Sequence, residues 1–542
     1  MSTPDRWILA IDQGNSGTKA AVVALDGSII ATSSAPVTVD IGSDGAATQD
    51  PNEWDAALKH SVKQAVEIGR ESAQIEPKGL HSIAVTGQWG STVPVGADGE
   101  PVGPVLLWAD TRGAEHSERV IGGPISVGGI APHKALPWLR YTGGAPNPHG
   151  ADPTGHALLL SNELAEIGDR ARWLLEPVDY LVMRLTGRVV ATPASMILSW
   201  ITDNRPGQEP RYLPKLIRRA GRDPQQLPKL VPTGAMAGEL QPPIARELEL
   251  TAGVPVVAGL PDLHAAVIGS GAIAPYQTHL AVSTTAWLSA PVPFKKTDVL
   301  HQMASVPGLT PDLQVVADNI ETGGAALTWL REQIIAPHDS LIGGGSGIGA
   351  SGAASPLAHP TFDDLFALAE QAPPGSEGLL FAPWLNGERS PVDDRNLRGA
   401  WLNLSLRSNR AALVRSVLEG VANNIAWLFY YYEKFLGRPV PTLRILGGGA
   451  RSDLWCEILA STLDRPLERV EDPLNAQLRG VALWSRVALG DVSLAEAAGM
   501  IPVDRIFYPD PDDRELYRRH FQQYRKLAGT LRGFYRSMNH VT

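Results

Sequence analysis

The sequence predicts an α/β protein of two domains laid out on one plan, and three observations carry that prediction. At 542 residues the chain exceeds what one hydrophobic core organises, so two domains of roughly 200–250 residues each are expected. Short buried strands ending in glycine- or hydroxyl-rich turns recur, with helical patterns between them. The opening stretch Trp7–Leu25, WILAIDQGNSGTKAAVVAL, finds a second copy in His279–Ser289, HLAVSTTAWLS. The join is placed near Gly259, giving domains 1–258 and 259–542.

Composition narrows the class. Hydrophobic residues make up 44% and charged residues 19%, ordinary for a soluble globular protein. The net charge of −10, with no basic block, argues against a protein that grips nucleic acid through its phosphates. An anionic nucleotide would therefore rely on backbone N–H groups, helix N-termini and Mg²⁺. Cys456 is the only cysteine, which excludes an internal disulfide and a cysteine-based zinc cluster. No signal peptide precedes Trp7 and no apolar stretch is long enough to span a bilayer, so a cytoplasmic enzyme without membrane contact is expected.

Taken in order, the first element is a three-stranded meander with Asp12 at its first corner and Asp26-Gly27 at its second. Gly14 and Gly17 let backbone N–H groups approach an anion. A carboxylate at Asp12 does not tolerate phosphate directly, so Mg²⁺ between them is the natural filling, while an Asp in a plain hairpin turn is the bland alternative. Asp50-Pro51-Asn52-Glu53 reads as a capped helix start with a capping box, the helix ending near Gly69. Gly79–Thr86 is a buried strand that stops at Gln88-Trp89-Gly90, a favoured ligand position in an open α/β sheet. Thr92–Val95 and Val105–Trp108 resemble a hairpin leading into Trp108-Ala109-Asp110-Thr111-Arg112. An aromatic, a carboxylate and a guanidinium in five residues suit a polyol, and equally a surface ion pair.

Residues 130–240 show helical patterns around Ala157–Ile167 and Trp173–Arg184, and no evident chemistry. Val254–Ala258 is a strand, Gly259-Leu260-Pro261 a turn, and Asp262 opens a helix, where it is read either as an N-cap or as a functional carboxylate. His264 is expected to be structural. The second meander carries Ser283-Thr284-Thr285 in its corner, and Glu321-Thr322-Gly323-Gly324 enters a helix. The segment 341–355, LIGGGSGIGASGAAS, lacks the lysine of a Walker A loop and is expected to be a surface loop. Ser408 is expected to cap a long helix to Leu436, and Gly447-Gly448-Gly449-Ala450 joins a strand to a helix, where bare backbone admits a flat ring or a phosphate. An amphipathic helix is predicted from about Asp513 to Tyr535, docking on its own domain.

Together these stretches resemble the FGGY carbohydrate kinases, particularly the xylulose-kinase branch. The likeness rests on DQGNSGTKA at Asp12–Ala20, WADTR at Trp108–Arg112, GLPDLHAAVIGSG at Gly259–Gly271 and STTAW at Ser283–Trp287. LNGERSP at Leu385–Pro391, RGAWLNL with SVLEGVA within Arg398–Ala422, and GGGARSDLW at Gly447–Trp455 complete it. The resemblance implies two ribonuclease H-like (actin/hexokinase-type) domains with a cleft between them, and Mg-ATP-dependent phosphorylation of a sugar hydroxyl. By motif it implies Asp262 as general base and Asp12 as the magnesium-side carboxylate. Gly14, Asn15, Ser16, Thr284 and Thr285 would face the phosphates; Gly323, Gly324 and Gly447, Gly448, Gly449, Ala450 the nucleoside. Gln88, Trp89, Asp110 and Arg112 match the sugar side, with a ketopentose such as xylulose as the first expectation. Gln88-Trp89-Gly90-Ser91 stands where xylulose kinases usually carry Gln-Met-His-Gly, and Lys134 lies four residues before Trp138 instead of three. An actin- or chaperone-like ATPase and a non-catalytic sugar sensor are the rival classes, and a homodimer is left open.

Overall fold

In the computed structural model, residues 6–126, 128–335 and 360–539 are described. The predicted loop 341–355 lies outside them. Strand β1 (Trp7–Gln13) pairs antiparallel with β2 (Gly17–Ala24), which pairs with β3 (Ile29–Pro36), so the opening meander is present. β1 is buried from end to end, as expected of a near-continuous apolar run inside a sheet covered on both faces. It pairs in parallel with β4 (Leu80–Gly87). β5 (Met236–Glu239) and β6 (Pro255–Val257) extend the sheet, giving the order β3-β2-β1-β4-β6-β5. The two-residue β7 (Leu260–Pro261) also joins β4, further along.

The second sheet repeats this layout. β8 (Thr278–Val282) and β9 (Ala286–Ser289) form the corner, β10 (Leu443–Leu446) and β11 (Leu467–Val470) lie parallel to β8, and β12 (Val503–Phe507) closes the edge antiparallel. One buried apolar cluster belongs to each half. A third joins them, through α3 (Asp262–Ser270) and α5 (Ala476–Ala488). These two helices cross backbone to backbone. A Cβ on Gly269 would sit 1.9 Å from the Ala476 carbonyl oxygen, and one on Gly480 would sit 2.1 Å from that of Ala265. Helix α5 also reaches β4, where Ser485 and Ser82 hydroxyls meet at 2.8 Å.

Several local expectations are corrected. Helix α1 (Pro51–Ala73) is capped by Asp50, which accepts the Asn52 N–H, but no capping box forms because Glu53 turns to accept the Thr38 N–H at 2.8 Å. It runs past Gly69 to Ala73 and ends at left-handed Gln74 (φ 53°). Thr92–Val95 and Val105–Trp108 do meet as a hairpin, through the reciprocal Thr92–Leu106 backbone pair at 2.8 and 2.9 Å, but each arm also takes a second partner: Val93–Val95 pairs with Trp173–Leu175 and Val105–Leu106 with Ala47–Gln49. Trp173–Leu175 is accordingly a strand, and the helix after it is α2 (Pro177–Thr186). Helix α4 (Arg410–Leu436) is capped by Asn409, whose side chain accepts the Ala412 N–H at 2.9 Å. Ser408 lies one residue ahead of the cap position, where its hydroxyl accepts the Ser405 N–H. Helix α6 (Arg514–Met538) docks on its own half as predicted, with Tyr517 donating to Glu419 and Tyr524 to Asn424, each at 3.0 Å.

Candidate active site

Three parallel strands end side by side. Asp12 of β1 lies opposite Thr86 of β4, and Pro261 of β7 lies opposite Gly87, so Asp12 and Asp262 emerge at one sheet edge. The carboxyl edge of such strands is where an open α/β sheet gathers ligand-binding groups. Asp262 is the first residue of α3, with Pro261 in the cap position, so a role as N-cap alone is excluded. Among the described residues its carboxylate accepts only the adjacent Leu263 N–H, at 2.7 Å. Burial and the charge of Asp12 push Asp262 up to about 7. Burial also raises Asp12, against the pull of Lys19. Asp12 is 8% exposed, and no hydrogen bond engages its carboxylate among the described residues. A hard cation bound through one carboxylate and substrate phosphates fits that donor. His264 is structural, as expected: Nε2 donates to the Pro307 carbonyl at 2.7 Å, and burial holds the ring neutral, down to about 4.

The turn after Asp12 is cinched by the Gly14 N–H donating to the Gly17 carbonyl at 2.9 Å. A Cβ on Gly17 would stand 2.3 Å from the Ala35 carbonyl oxygen, so only glycine lets β3 close on it. Asn15 and Ser16 are exposed. Their N–H groups meet no protein acceptor among the described residues, which leaves them available to an anion.

Of the residues that the resemblance matches to the sugar, Gln88 is 6% exposed and spends its amide inside the protein. It donates to Gln49 Oε1 at 3.3 Å and accepts the Ser91 hydroxyl at 3.3 Å. Ser91 Oγ in turn accepts the Trp108 N–H, which links this turn to residues 108–112. Asp110 is 0% exposed, so the surface ion pair is excluded. It clamps the Arg112 guanidinium at 2.6 Å and accepts the Ala47 N–H at 3.2 Å, leaving Arg112 as the group that reaches solvent. Trp89 is half-buried; its indole N–H donates to the Ser195 carbonyl at 3.3 Å and its ring meets His264 edge-on at 6.3 Å.

In the C-terminal half the expected residues also converge. Gly323 N–H donates to the Thr284 carbonyl at 2.9 Å and Gly324 N–H to that of Ser283 at 2.6 Å, so Thr284, Thr285, Gly323 and Gly324 form one surface. Those N–H groups are thereby occupied, and the glycines pack directly on the corner: a Cβ on Gly323 would stand 2.6 Å from the Thr285 carbonyl, and one on Gly324 2.7 Å from the Ser283 carbonyl oxygen. Gly447 (φ 93°) and Gly449 press on Val282, just ahead of this turn, while Gly448 is exposed and Ala450 is buried.

Two carboxyls were not foreseen. Glu388 accepts the N–H of Glu321 and of Arg389, each at 2.9 Å, and the Asn424 amide; burial pushes it up to about 7. It holds the Glu321–Gly324 turn from behind. Glu176 accepts the Gly90 N–H at 2.9 Å, and burial together with Asp179 raises it well above the usual carboxylate range. An acid beside Pro177, inside an otherwise apolar run, was the one available signal.

Comparison with known proteins finds one family across both halves of the chain. The FGGY family of carbohydrate kinases matches as N-terminal domain over residues 7–128 and 159–269, and as C-terminal domain over 265–489. A xylulose kinase of Staphylococcus epidermidis is 24% identical over 528 residues, 96% of each chain. A gluconokinase of Bacillus subtilis is 23% identical over 541 residues, 98% of this chain and 97% of its own. The solved structure of a ligand-bound xylulose kinase from Lactobacillus acidophilus superposes with a TM-score of 0.80 at 21% identity, covering 98% of this chain and 100% of that one. The two halves share the actin/hexokinase-like fold of those kinases. Matched through both halves, the chain belongs to the FGGY family of carbohydrate kinases and is a sugar kinase.

Proposed function

We propose that this kinase transfers the γ-phosphoryl group of ATP to a hydroxyl of a neutral ketose, a ketopentose such as xylulose first, with Asp262 as general base. The observation that carries the proposal is the pair of carboxylates at one sheet edge, with Asp262 pushed up to about 7. A base poised near the working pH takes the hydroxyl proton most effectively. Phosphoryl transfer otherwise asks for positioning and charge neutralisation. The N–H groups of Asn15 and Ser16 and the hydroxyls of Thr284 and Thr285 supply these at the phosphates, and Gly323, Gly324 and Gly447–Ala450 take the nucleoside. Asp12 would hold Mg²⁺, which when bound offsets phosphate charge.

A neutral acceptor is preferred over gluconate because Arg112, the one cation among the sugar-side residues, is already neutralised by Asp110. The domain join is proposed at 258/259, just ahead of β7, and overlapping family matches at 265–269 support a boundary in that neighbourhood. We place the reaction in the cytoplasm; no helix among the described residues is long and apolar enough to cross a membrane. A coupled ADP-release screen over ketopentoses, ketohexoses, ketotetroses, polyols and gluconate tests the assignment. Fastest turnover on a ketopentose is expected. Turnover on gluconate alone would overturn the neutral acceptor, and ADP release indifferent to any acceptor would overturn phosphotransfer.

A further inference from the structure

We propose that Gln49 is a positioning residue that ties the phosphate turn at 14–16 to the sugar-side turn at 88–91, so that filling one orders the other. This rests on the nucleotide and sugar sides assigned above. Gln49 ends the short strand Ala47–Gln49, immediately before the Asp50 cap of α1, and is 2% exposed. Its amide nitrogen donates to the Asn15 carbonyl at 2.8 Å. Its oxygen accepts from Trp54 Nε1 at 3.1 Å and from Gln88 Nε2 at 3.3 Å.

The orientation of that amide is determined. Trp54 is fully buried on α1, and an indole N–H only donates, so the Gln49 oxygen must face it. The NH₂ group is then directed at Asn15. A flipped amide would set donor against donor at Trp54 and acceptor against acceptor at Asn15. A second strut runs parallel to the first, where the Gln88 N–H donates to the Gln13 carbonyl at 2.8 Å. Asn15 is exposed, whereas Gln13, Gln49, Trp54 and Gln88 behind it are buried and hydrogen-bonded. A displacement of the phosphate turn therefore pulls directly on Gln88, and through Ser91 on Trp108.

The test uses the full-length protein with Mg²⁺ and the non-hydrolysable ATP analogue adenylyl imidodiphosphate. Calorimetry measures binding, and hydrogen–deuterium exchange reads the peptide covering residues 86–92. In the wild type, bound analogue should slow exchange across 86–92 although no sugar is present. Gln49→Glu keeps both acceptor contacts but sets an oxygen against the Asn15 carbonyl. It should bind the analogue about tenfold more weakly and lose the transmitted protection, with Trp54→Phe as a control that keeps the Asn15 link and the protection. Should Gln49→Glu not fold, Gln49→Met carries the same expectation, and a wild type without protection overturns the coupling in either case. Bound analogue without protection at 86–92, or protection that survives in a folded Gln49 variant with only a lower Tm, overturns the coupling. Calorimetry showing no analogue binding would bring down the nucleotide assignment as well, and so separates the two failures.

Discussion

In the N-terminal sheet β1 and β2 meet at a corner bearing Asp12, and β2 continues into β3. In the C-terminal sheet β8 and β9 meet at Ser283-Thr284-Thr285, and the chain then leaves the sheet. It builds a separate four-stranded sheet from Pro291–Val292, Thr297–Asp298, Met303–Pro307 and Gln314–Ala317 before Ile320 returns to bridge Ala286. That detour delivers Glu321–Gly324 to the hydroxyl corner. One strand plan thus carries two chemistries: a carboxylate with exposed N–H groups in the first half, hydroxyls and bare glycine backbone in the second. Asp262 belongs to neither corner. It sits where β7 gives way to α3, the helix that leads from one sheet to the other.

The strongest way to break this comparison is to remove Asp262. Asp262→Asn keeps size and the Leu263 contact but takes no proton, so kcat should fall by about 10²–10⁴-fold, with nucleotide affinity little changed. Since the base works ionised and is pushed up to about 7, wild-type kcat/KM for the sugar should fall as pH drops below that value. A folded Asp262→Asn enzyme with wild-type turnover would remove the mechanism. Asp12→Asn tests the corner proper. A loss of roughly 10²-fold in kcat is expected, partly recovered by added Mg²⁺ because the defect is in holding the ion. Recovery by Mg²⁺ of the Asp262 variant as well would show that the two carboxylates do one job.

A smaller effect is expected behind the second corner. Glu388→Ala leaves the buried N–H of Glu321 without an acceptor, at about 1–3 kcal/mol, and frees the part-buried N–H of Arg389. Tm should fall, and KM for ATP should rise more than KM for the sugar. Glu388→Gln separates charge from contact. The folded-state pKa of Glu388 is raised from its ordinary value to about 7, so its contribution to stability is full below the unfolded value and is lost as pH rises through about 7. The Gln variant should therefore lose less stability than wild type between pH 5 and pH 8, read as the difference in urea midpoints. Equal slopes would mean that Glu388 is ionised throughout.

Residues that act through their own strand were legible in the sequence. The apolar run before Asp12 and the short strand before Asp262 each announced a carboxylate at a strand end, and the repeated corner announced the second half. What was hidden depends on partners far along the chain. Glu388 is given meaning by Glu321 and Asn424, Glu176 by Gly90, and Gln49 by Asn15 and Gln88; no local periodicity encodes such pairs. In the segment 130–240 two buried acids hold backbone, Asp152 the N–H groups of Asn147 and Gly155 and Glu176 that of Gly90, and neither partner set is marked by local spacing. Ser408 and Asn409 are both good caps, and the Ser405–Ser408 turn that decides between them is a contest of hydrogen bonds that composition does not rank.

The smallest expected effect concerns which sugar is chosen, and it sharpens the contrast between a strand plan used twice and a local pocket. Trp89 follows Gln88 at the end of β4, with its N–H on the Ser195 carbonyl and its edge on His264. The next residue, Gly90, has φ 84° and is held by buried Glu176, so the indole is presented on a turn that cannot drift. Trp89→Met keeps an apolar side chain but removes the flat face and the Ser195 tie. A flat indole distinguishes ketoses by how their faces stack, and that discrimination is small compared with losing a base. Relative kcat/KM among ketopentoses, ketohexoses and polyols should shift by about tenfold, ~1.4 kcal/mol, with Tm changed little. If kcat/KM instead drops by the same factor on every sugar, Trp89 supports the turn without choosing the substrate, and selectivity must be sought at Arg112 and Trp108.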